Sequence, residues 1–276
     1  MSKLILSFLL AVALLLPVVP VSPAHSVARH IYDGLVYASP QKGGSAGTAG
    51  NSLYRDLRAY WNLDEASGTR AAAFQAASLS LTDNNTVTQA TGKIGSAAQF
   101  TAANTEYLSV ADSPALSFNN ADFTIVAWVY MDAKPASGGI IVAKGTHNDA
   151  TNVEYALRYN GTAFDRFRFL IGNGTSNIGV SSDNFGALSA TTWYFVVAIN
   201  DAAADTIKIS VNDGSFNTAT QSGPIDGTNA LRIGANTNDS LFWDGRIDAV
   251  AIYARQLTAA EITYLYNSGN GRPPIP

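Results

Sequence analysis

The chain of 276 residues contains no cysteine. That absence excludes a disulfide framework, a thiolate metal site and a cysteine nucleophile. Histidine is nearly as scarce: His25, His30 and His147 are the complete set. A Ser-His-Asp triad could draw in practice only on His147, which follows Lys144-Gly145 in a polar stretch that reads as a solvated loop. No Gly-x-Ser-x-Gly elbow, no His-Glu-x-x-His pair and no Walker-type loop occurs. Charge is sparse as well, at 14% of residues with a net −4. No basic run exists to neutralise phosphates, so nucleic acid is excluded as the main partner.

What is there begins with a leader. Lys3 precedes an apolar run from Leu4 to Val21, interrupted by Ser7, Pro17 and Pro20. Val21-Ser22-Pro23-Ala24 then offers small residues for cleavage. Residues 1–24 read as a secretory signal peptide, the alternative being an uncleaved N-terminal anchor. The expected location is extracellular or at a cell surface, with no membrane insertion after cleavage. Residues 25–52 read as a flexible linker, rich in Gly, Ser, Ala and Thr between Lys42 and Asn51. Within it, Ile31 to Tyr37 could be a short strand or a docking segment through which the chain joins an oligomer or assembly.

From residue 53 onward the dominant signal is period two. Phe123, Ile125, Ala127 and Val129 alternate with Val126, Trp128 and Tyr130. A strand apolar on both faces is central and covered on both sides, or it turns one face to a ligand. Val153, Tyr155, Leu157 and Tyr159 alternate with Glu154, Ala156 and Arg158; Phe167, Phe169 and Ile171 alternate with Arg166, Arg168 and Leu170. Further runs start at Tyr60, Ala97, Glu106, Trp193, Ile207, Leu231 and Arg246. Short strands separated by Gly, Asn and Asp turns specify an all-β, two-sheet antiparallel jelly-roll β-sandwich over residues 53–272. One short C-terminal helix is predicted from Thr258 to Ser268. Thr258-Ala-Ala-Glu261 forms a capping box, Ile262, Leu265 and Tyr266 make one stripe, and Gly269 sits at the expected left-handed cap. Residues 273–276 are a Pro-rich tail.

Four blocks carry a family resemblance: AYWNLDEASGTR from Ala59, GKIGSAAQF from Gly92, FTIVAWVY from Phe123, and FWDGRIDAVAIYARQLTAAEITYLYNSG from Phe242. In that order they resemble a laminin-G-like domain of the concanavalin A-like lectin/glucanase superfamily. The resemblance implies a jelly roll, a fold that carries lectins, adhesins, enzymes and spacers. It also implies one structural Ca2+ between the first strand and an Asp of the last, at positions that match Asp64 and Asp248. The competing reading gives Asp64 a turn to cap and pairs Asp248 with Arg246 or Arg255.

Enzymes of the superfamily that cut polysaccharides carry two carboxylates flanking the scissile bond, and strand parity would set them at i and i+2. No such pair occurs here: Glu154 has no acidic partner at Asn152 or Ala156, and Asp64-Glu65 are adjacent. The leading reading is therefore a secreted or surface recognition module without a catalytic residue, binding carbohydrate or an extracellular protein. The alternatives are a structural or spacer domain of a cell-surface or virion assembly, and a polysaccharide-active enzyme. For a ligand platform, Tyr159 and Trp243 are the candidates, because each lies beside a turn, Asn160-Gly161 and Asp244-Gly245.

Overall fold

The computed structural model describes residues 29–32, 35–38, 52–74 and 77–275. They fall into two compact units, divided between Gly44 and Ser45. In the first, β1 (Arg29–Tyr32) and β2 (Leu35–Ala38) pair antiparallel, with Arg29 opposite Ala38. The sequence suggested at most one strand in this stretch. The leader reading of residues 1–24 lies outside the described residues, as does Pro276.

The second unit is the expected two-sheet sandwich, and every strand pair in it is antiparallel. The seven-stranded sheet runs β12 (Asn177–Ser181), β11 (Phe167–Gly172), β10 (Tyr155–Tyr159), β9 (Gly139–Lys144), β16 (Leu231–Ile233), β7 (Tyr107–Val110), β4 (Thr82–Asn84). The eight-stranded sheet runs β15 (Asn217–Thr220), β14 (Thr206–Val211), β13 (Trp193–Asp201), β8 (Phe123–Met131), β17 (Gly245–Tyr253), β6 (Ser96–Phe100), β5 (Thr88–Thr91). Its eighth strand, β3 (Leu57–Trp61), pairs with the second half of β17.

The space between the sheets is filled by one parity of each strand. Phe123, Ile125 and Val129 of β8 meet Tyr155, Leu157, Phe167 and Phe169 in one buried cluster. Phe123 packs 5.3 Å from Tyr155 and 6.0 Å edge-on from Phe169, the offset and tilted geometries that aromatic rings prefer.

The opposite parity of the eight-stranded sheet is covered too. Val126, Trp128, Phe195 and Val197 join Tyr60, Tyr253, Leu257, Ile262 and Leu265 in a second buried cluster. The lid is the helix α1 (Ala259–Tyr266). Tyr266 stacks on Trp128 at 5.9 Å and on Phe195 at 6.0 Å.

The capping box forms as expected: Thr258 Oγ1 accepts from the Glu261 amide, and Glu261 Oε2 accepts from the Thr258 amide at 2.8 Å. Glu261 also takes two guanidinium bonds from Arg255, both 2.8 Å; burial pushes its carboxyl up, but the bonds from Arg255, Ser52 and the Thr258 amide outweigh it and hold the carboxyl down at about 2. The left-handed cap falls on Asn267 (φ +49) rather than first on Gly269, which follows with φ +84 after Ser268 at +53. Asparagine tolerates that region better than most side chains, so the helix stops two residues early.

The outer face of the seven-stranded sheet is different. Ile140, Ala143, Val153, Ala156 and Leu170 make a small buried cluster there, with Leu241 packed against it. The same parity carries Arg158, Arg168, Arg232, Ser109 and Thr82. No helix among the described residues covers this face.

Candidate functional site

Two places on the sandwich gather polar chemistry. The first lies where β3 ends and β17 bends. Asp64 Oδ1 accepts from the Ser96 amide at 2.6 Å, and its Oδ2 accepts from the Asn62 side-chain amide at 2.9 Å. Asp248 Oδ2 accepts from the Lys93 and Ile94 amides at 2.7 and 2.8 Å. Two carboxylates far apart in sequence therefore grip one turn, Gly92–Ser96. The turn needs glycine where they close on it: a Cβ on Gly95 would lie 2.7 Å from Asp64 Oδ1, and one on Gly92 2.8 Å from Asp248 Oδ2.

Each carboxylate sits beside a residue in the left-handed region that is not glycine, Leu63 at φ +60 and Ala249 at φ +50. At Ala249 the pairing of β17 with β8 shifts register, between Asp248 and Ala251. Such backbone costs on the order of 1 kcal/mol or more per residue and gathers at functional sites.

Asp248 is fully buried, and its Oδ1 has no hydrogen-bond partner. Burial pushes its carboxyl up to about 7 against the pull of the two amides, and Asp64 adds to the rise. Neither arginine of the competing reading reaches it: Arg246 bonds Gln99 and the Thr91 carbonyl, and Arg255 bonds Glu261. An unpartnered buried carboxylate oxygen beside a second carboxylate is a donor set that fits a hard cation. Among the described residues no third His, Cys, Asp or Glu joins them, so backbone carbonyls or water would complete the shell.

The second place is a depression of about 270 Å³ lined by Asn85, Thr105, Tyr107, Asp239 and Phe242. Tyr107, at the start of β7, and Phe242, just before β17, hold their rings 6.4 Å apart. The Arg232 guanidinium covers the Tyr107 ring at 4.2 Å and pairs with Asp239 at 2.5 Å. Asn85 donates to the Thr105 carbonyl and hydroxyl, both at 2.9 Å. Partly exposed rings thus stand beside an amide, a hydroxyl and a carboxylate.

The two aromatic candidates of the sequence are corrected here. Tyr159 and Trp243 are both fully buried. Tyr159 points into the inter-sheet core with Phe167, its hydroxyl on Asp165 at 3.0 Å. Trp243 belongs to the same core, and Gly139 lets its ring lie close against β9. Parity explains both misses. Beside a turn, consecutive residues still face opposite ways, and the partly exposed neighbour of Trp243 is Phe242. Tyr107 carries no distinguishing signal in the sequence, since it alternates in its strand like any packing residue.

Two further carboxylates, buried Glu154 and exposed Asp112, meet at one lysine. Lys144 and Glu154 are fully buried and bonded to one another, and Lys144 also reaches Asp112 at 2.7 Å and the Gly227 carbonyl at 3.1 Å. Burial raises the Glu154 carboxyl despite the lysine.

This geometry has relatives. A Laminin_G_3 family model, described as the concanavalin A-like lectin/glucanases superfamily, matches residues 102–263. The chain belongs to this superfamily. No curated protein sequence matches it. Among solved structures, the binding domain of Paraclostridial Mosquitocidal Protein 1 superposes with a TM-score of 0.61 at 12% identity, covering 79% of this chain and 53% of that one. Domain 4 of AbnA, a GH43 extracellular arabinanase from Geobacillus stearothermophilus, gives 0.56 at 15%, covering 79% and 98%. A botulinum neurotoxin type C structure gives 0.60 at 14%, covering 79% and 52%. Identities this low show a shared jelly roll and nothing finer. The chain spans about half the length of the toxin structures it matches.

Proposed function

We propose that this laminin-G-like domain is a non-catalytic glycan-binding module that works outside the cell, with one structural calcium ion held by Asp64 and Asp248. The supporting observation is the depression at Tyr107 and Phe242, where two partly exposed rings stand beside the Asn85 amide, the Thr105 hydroxyl and the Asp239 carboxylate. Sugar rings offer an apolar face and a fringe of hydroxyls, and such a set of groups answers both. The relatives point the same way: the arabinanase domain was solved with arabinotriose, and the type C neurotoxin structure concerns two ganglioside molecules. Calcium at Asp64 and Asp248 would fasten β3, the Gly92–Ser96 turn and β17 to one another without touching the sugar.

The test is binding of the intact chain to a panel of neutral and acidic glycans, with and without a chelator. Saturable binding is expected, weakened about tenfold by Tyr107→Ala and by Phe242→Ala, as for truncation of an aromatic anchor. Binding to no glycan, or binding that ignores both substitutions, would refute the assignment. Chelation is expected to lower the melting temperature of the wild type and leave that of Asp248→Asn unchanged. An equal response in both would remove calcium from this position.

A further inference from the structure

Arg158 on β10 and Arg168 on β11 stand directly opposite each other across the strand pair, on the outer face of the seven-stranded sheet. Their neighbours along each strand, Tyr159, Phe167 and Phe169, fill the inter-sheet core, so parity turns both arginines outward. Like charges placed opposite in a ladder repel, and a sheet normally resolves this with a carboxylate close by. None is present: among the described residues no Asp or Glu lies within 4.0 Å of either guanidinium, whereas neighbouring Arg166 and Lys134 are paired with Asp183 and Asp165.

The two arginines are nevertheless fixed in place. Arg158 is only 8% exposed, and it donates to the Tyr159 carbonyl at 3.2 Å and the Ser137 carbonyl at 3.1 Å. Arg168 makes no hydrogen bond to any described residue, and it lies flat over Gly179 of β12. A Cβ there would fall 2.4 Å from its Nε and 3.0 Å from its Cζ. Glycine at 179 is therefore a seat cut for a planar guanidinium. His147 belongs to the same neighbourhood: burial first, then the charges of Arg158 and Arg168, hold its imidazole down at about 4. Its Nδ1 stands 3.0 Å from the Asn236 side-chain amide, so the ring is neutral and does not compete for an anion.

We infer that Arg158 and Arg168 form an oxyanion subsite, so that the glycan bound on this face is an acidic polysaccharide presenting a carboxylate or a sulfate. The inference rests on the glycan-binding reading and specifies its ligand. Guanidinium forks recognise planar oxyanions through paired N–H bonds; the Arg168 fork is unused until an anion arrives, and Arg158, held by the Tyr159 and Ser137 carbonyls, adds a second fixed positive charge beside it. β11 is four strands from β7, about 19 Å at the usual spacing of ~4.8 Å. A polymer, rather than a single sugar, is needed to reach from the Tyr107 depression to the arginine pair. The net charge of −4 works against diffuse attraction of a polyanion, so retention would report a local site.

The experiment compares the intact chain on polygalacturonate, on a sulfated dextran and on unmodified dextran, at two salt concentrations. Both polyanions should be retained more than tenfold over dextran, and Arg168→Gln should abolish most of that preference. Arg168→Lys should recover only part of it, and Arg55→Gln, a charge-matched change at an exposed pair with Asp56, should change nothing. Retention of the carboxylate polymer alone, or of the sulfated one alone, assigns the natural anion. Polyanion binding unaffected by Arg168→Gln would overturn the inference while leaving the glycan reading standing. So would saturable binding confined to neutral glycans. Binding to none of these polymers would overturn the inference, and binding to nothing in the wider glycan panel as well would overturn both. A melting temperature of Arg168→Gln no lower than that of the wild type is the check that the variant is folded.

Discussion

The two sheets of this sandwich carry opposite outer faces. The eight-stranded sheet is sealed: Trp128, Phe195, Val126 and Val197 lie under α1 and make a second core. The seven-stranded sheet carries Arg158, Arg168 and Arg232 with His147 and Asn236 nearby, over a cluster of only five buried apolar residues. A jelly roll needs one core to fold, and the covered face adds a second. The face without a helix is buried over β9 and β10, opens at the depression by Tyr107 and at the half-buried Arg168, and is the face proposed to meet a ligand.

The contrast can be broken most forcefully at Trp128. Trp128→Ala should cost about 4 kcal/mol in denaturant unfolding, because it removes the plate between Phe195 and Tyr266. Glycan affinity per folded molecule should not change. A large loss of affinity at unchanged stability would mean that the covered face is functional after all.

Acid should act on the two faces in separate windows. His147, 6% exposed on the open side, has its pKa lowered from 6.5 to about 4. A group with a depressed folded pKa binds fewer protons folded than unfolded, so its contribution is full above pH 6.5 and is lost as pH falls towards 4. Glu261, 2% exposed beside α1, is lowered from 4.5 to about 2, and its contribution is full above pH 4.5 and is lost towards 2. Each step amounts to about 3 kcal/mol at 1.36 kcal/mol per pH unit. Urea unfolding between pH 7 and 3 should show the upper step vanish in His147→Asn and the lower one diminish in Glu261→Gln. Steps that persist in both variants would place the acid sensitivity elsewhere.

The smallest effect sharpens the contrast at the open face. Arg168→Gln should leave stability within about 1 kcal/mol of the wild type, with a gain rather than a loss, since it removes a like-charged cross-strand pair. A clear loss of stability would make Arg168 a structural residue.

Much of this architecture was readable before the coordinates. Residues 123–130 alternate apolar on both parities and announced a central strand, and the structure shows which of two readings holds: both sides are covered. Arg166 and Arg168 alternate with Phe167 and Phe169, a pattern that marks a polar outer face, whereas Arg158 on that face is buried at 8% exposure. The capping box from Thr258 to Glu261 stands where its spacing put it. What was not readable depended on packing at a distance. β9 (Gly139–Lys144) is buried on both faces, so it shows no alternation to find, and β12 and β15 are short, polar and at sheet edges. Whether a ring beside a turn is core or surface is decided by one step of parity, which separates Phe242 from Trp243. That Asp64 and Asp248 come near one another is implied by the family resemblance, whereas their shared grip on the Gly92–Ser96 turn and the orphaned Oδ1 of Asp248 are visible only in three dimensions.

Chemical-shift mapping of a bound acidic oligosaccharide on the isotope-labelled chain addresses the division of faces most directly. Perturbations should cluster at Asn85, Thr105, Tyr107, Asp239 and Phe242 and extend to Arg158 and Arg168, with Trp128, Phe195 and Tyr266 silent. Perturbations centred on Trp128 and α1, or scattered evenly over both sheets, would contradict the assignment of the open face as the ligand surface.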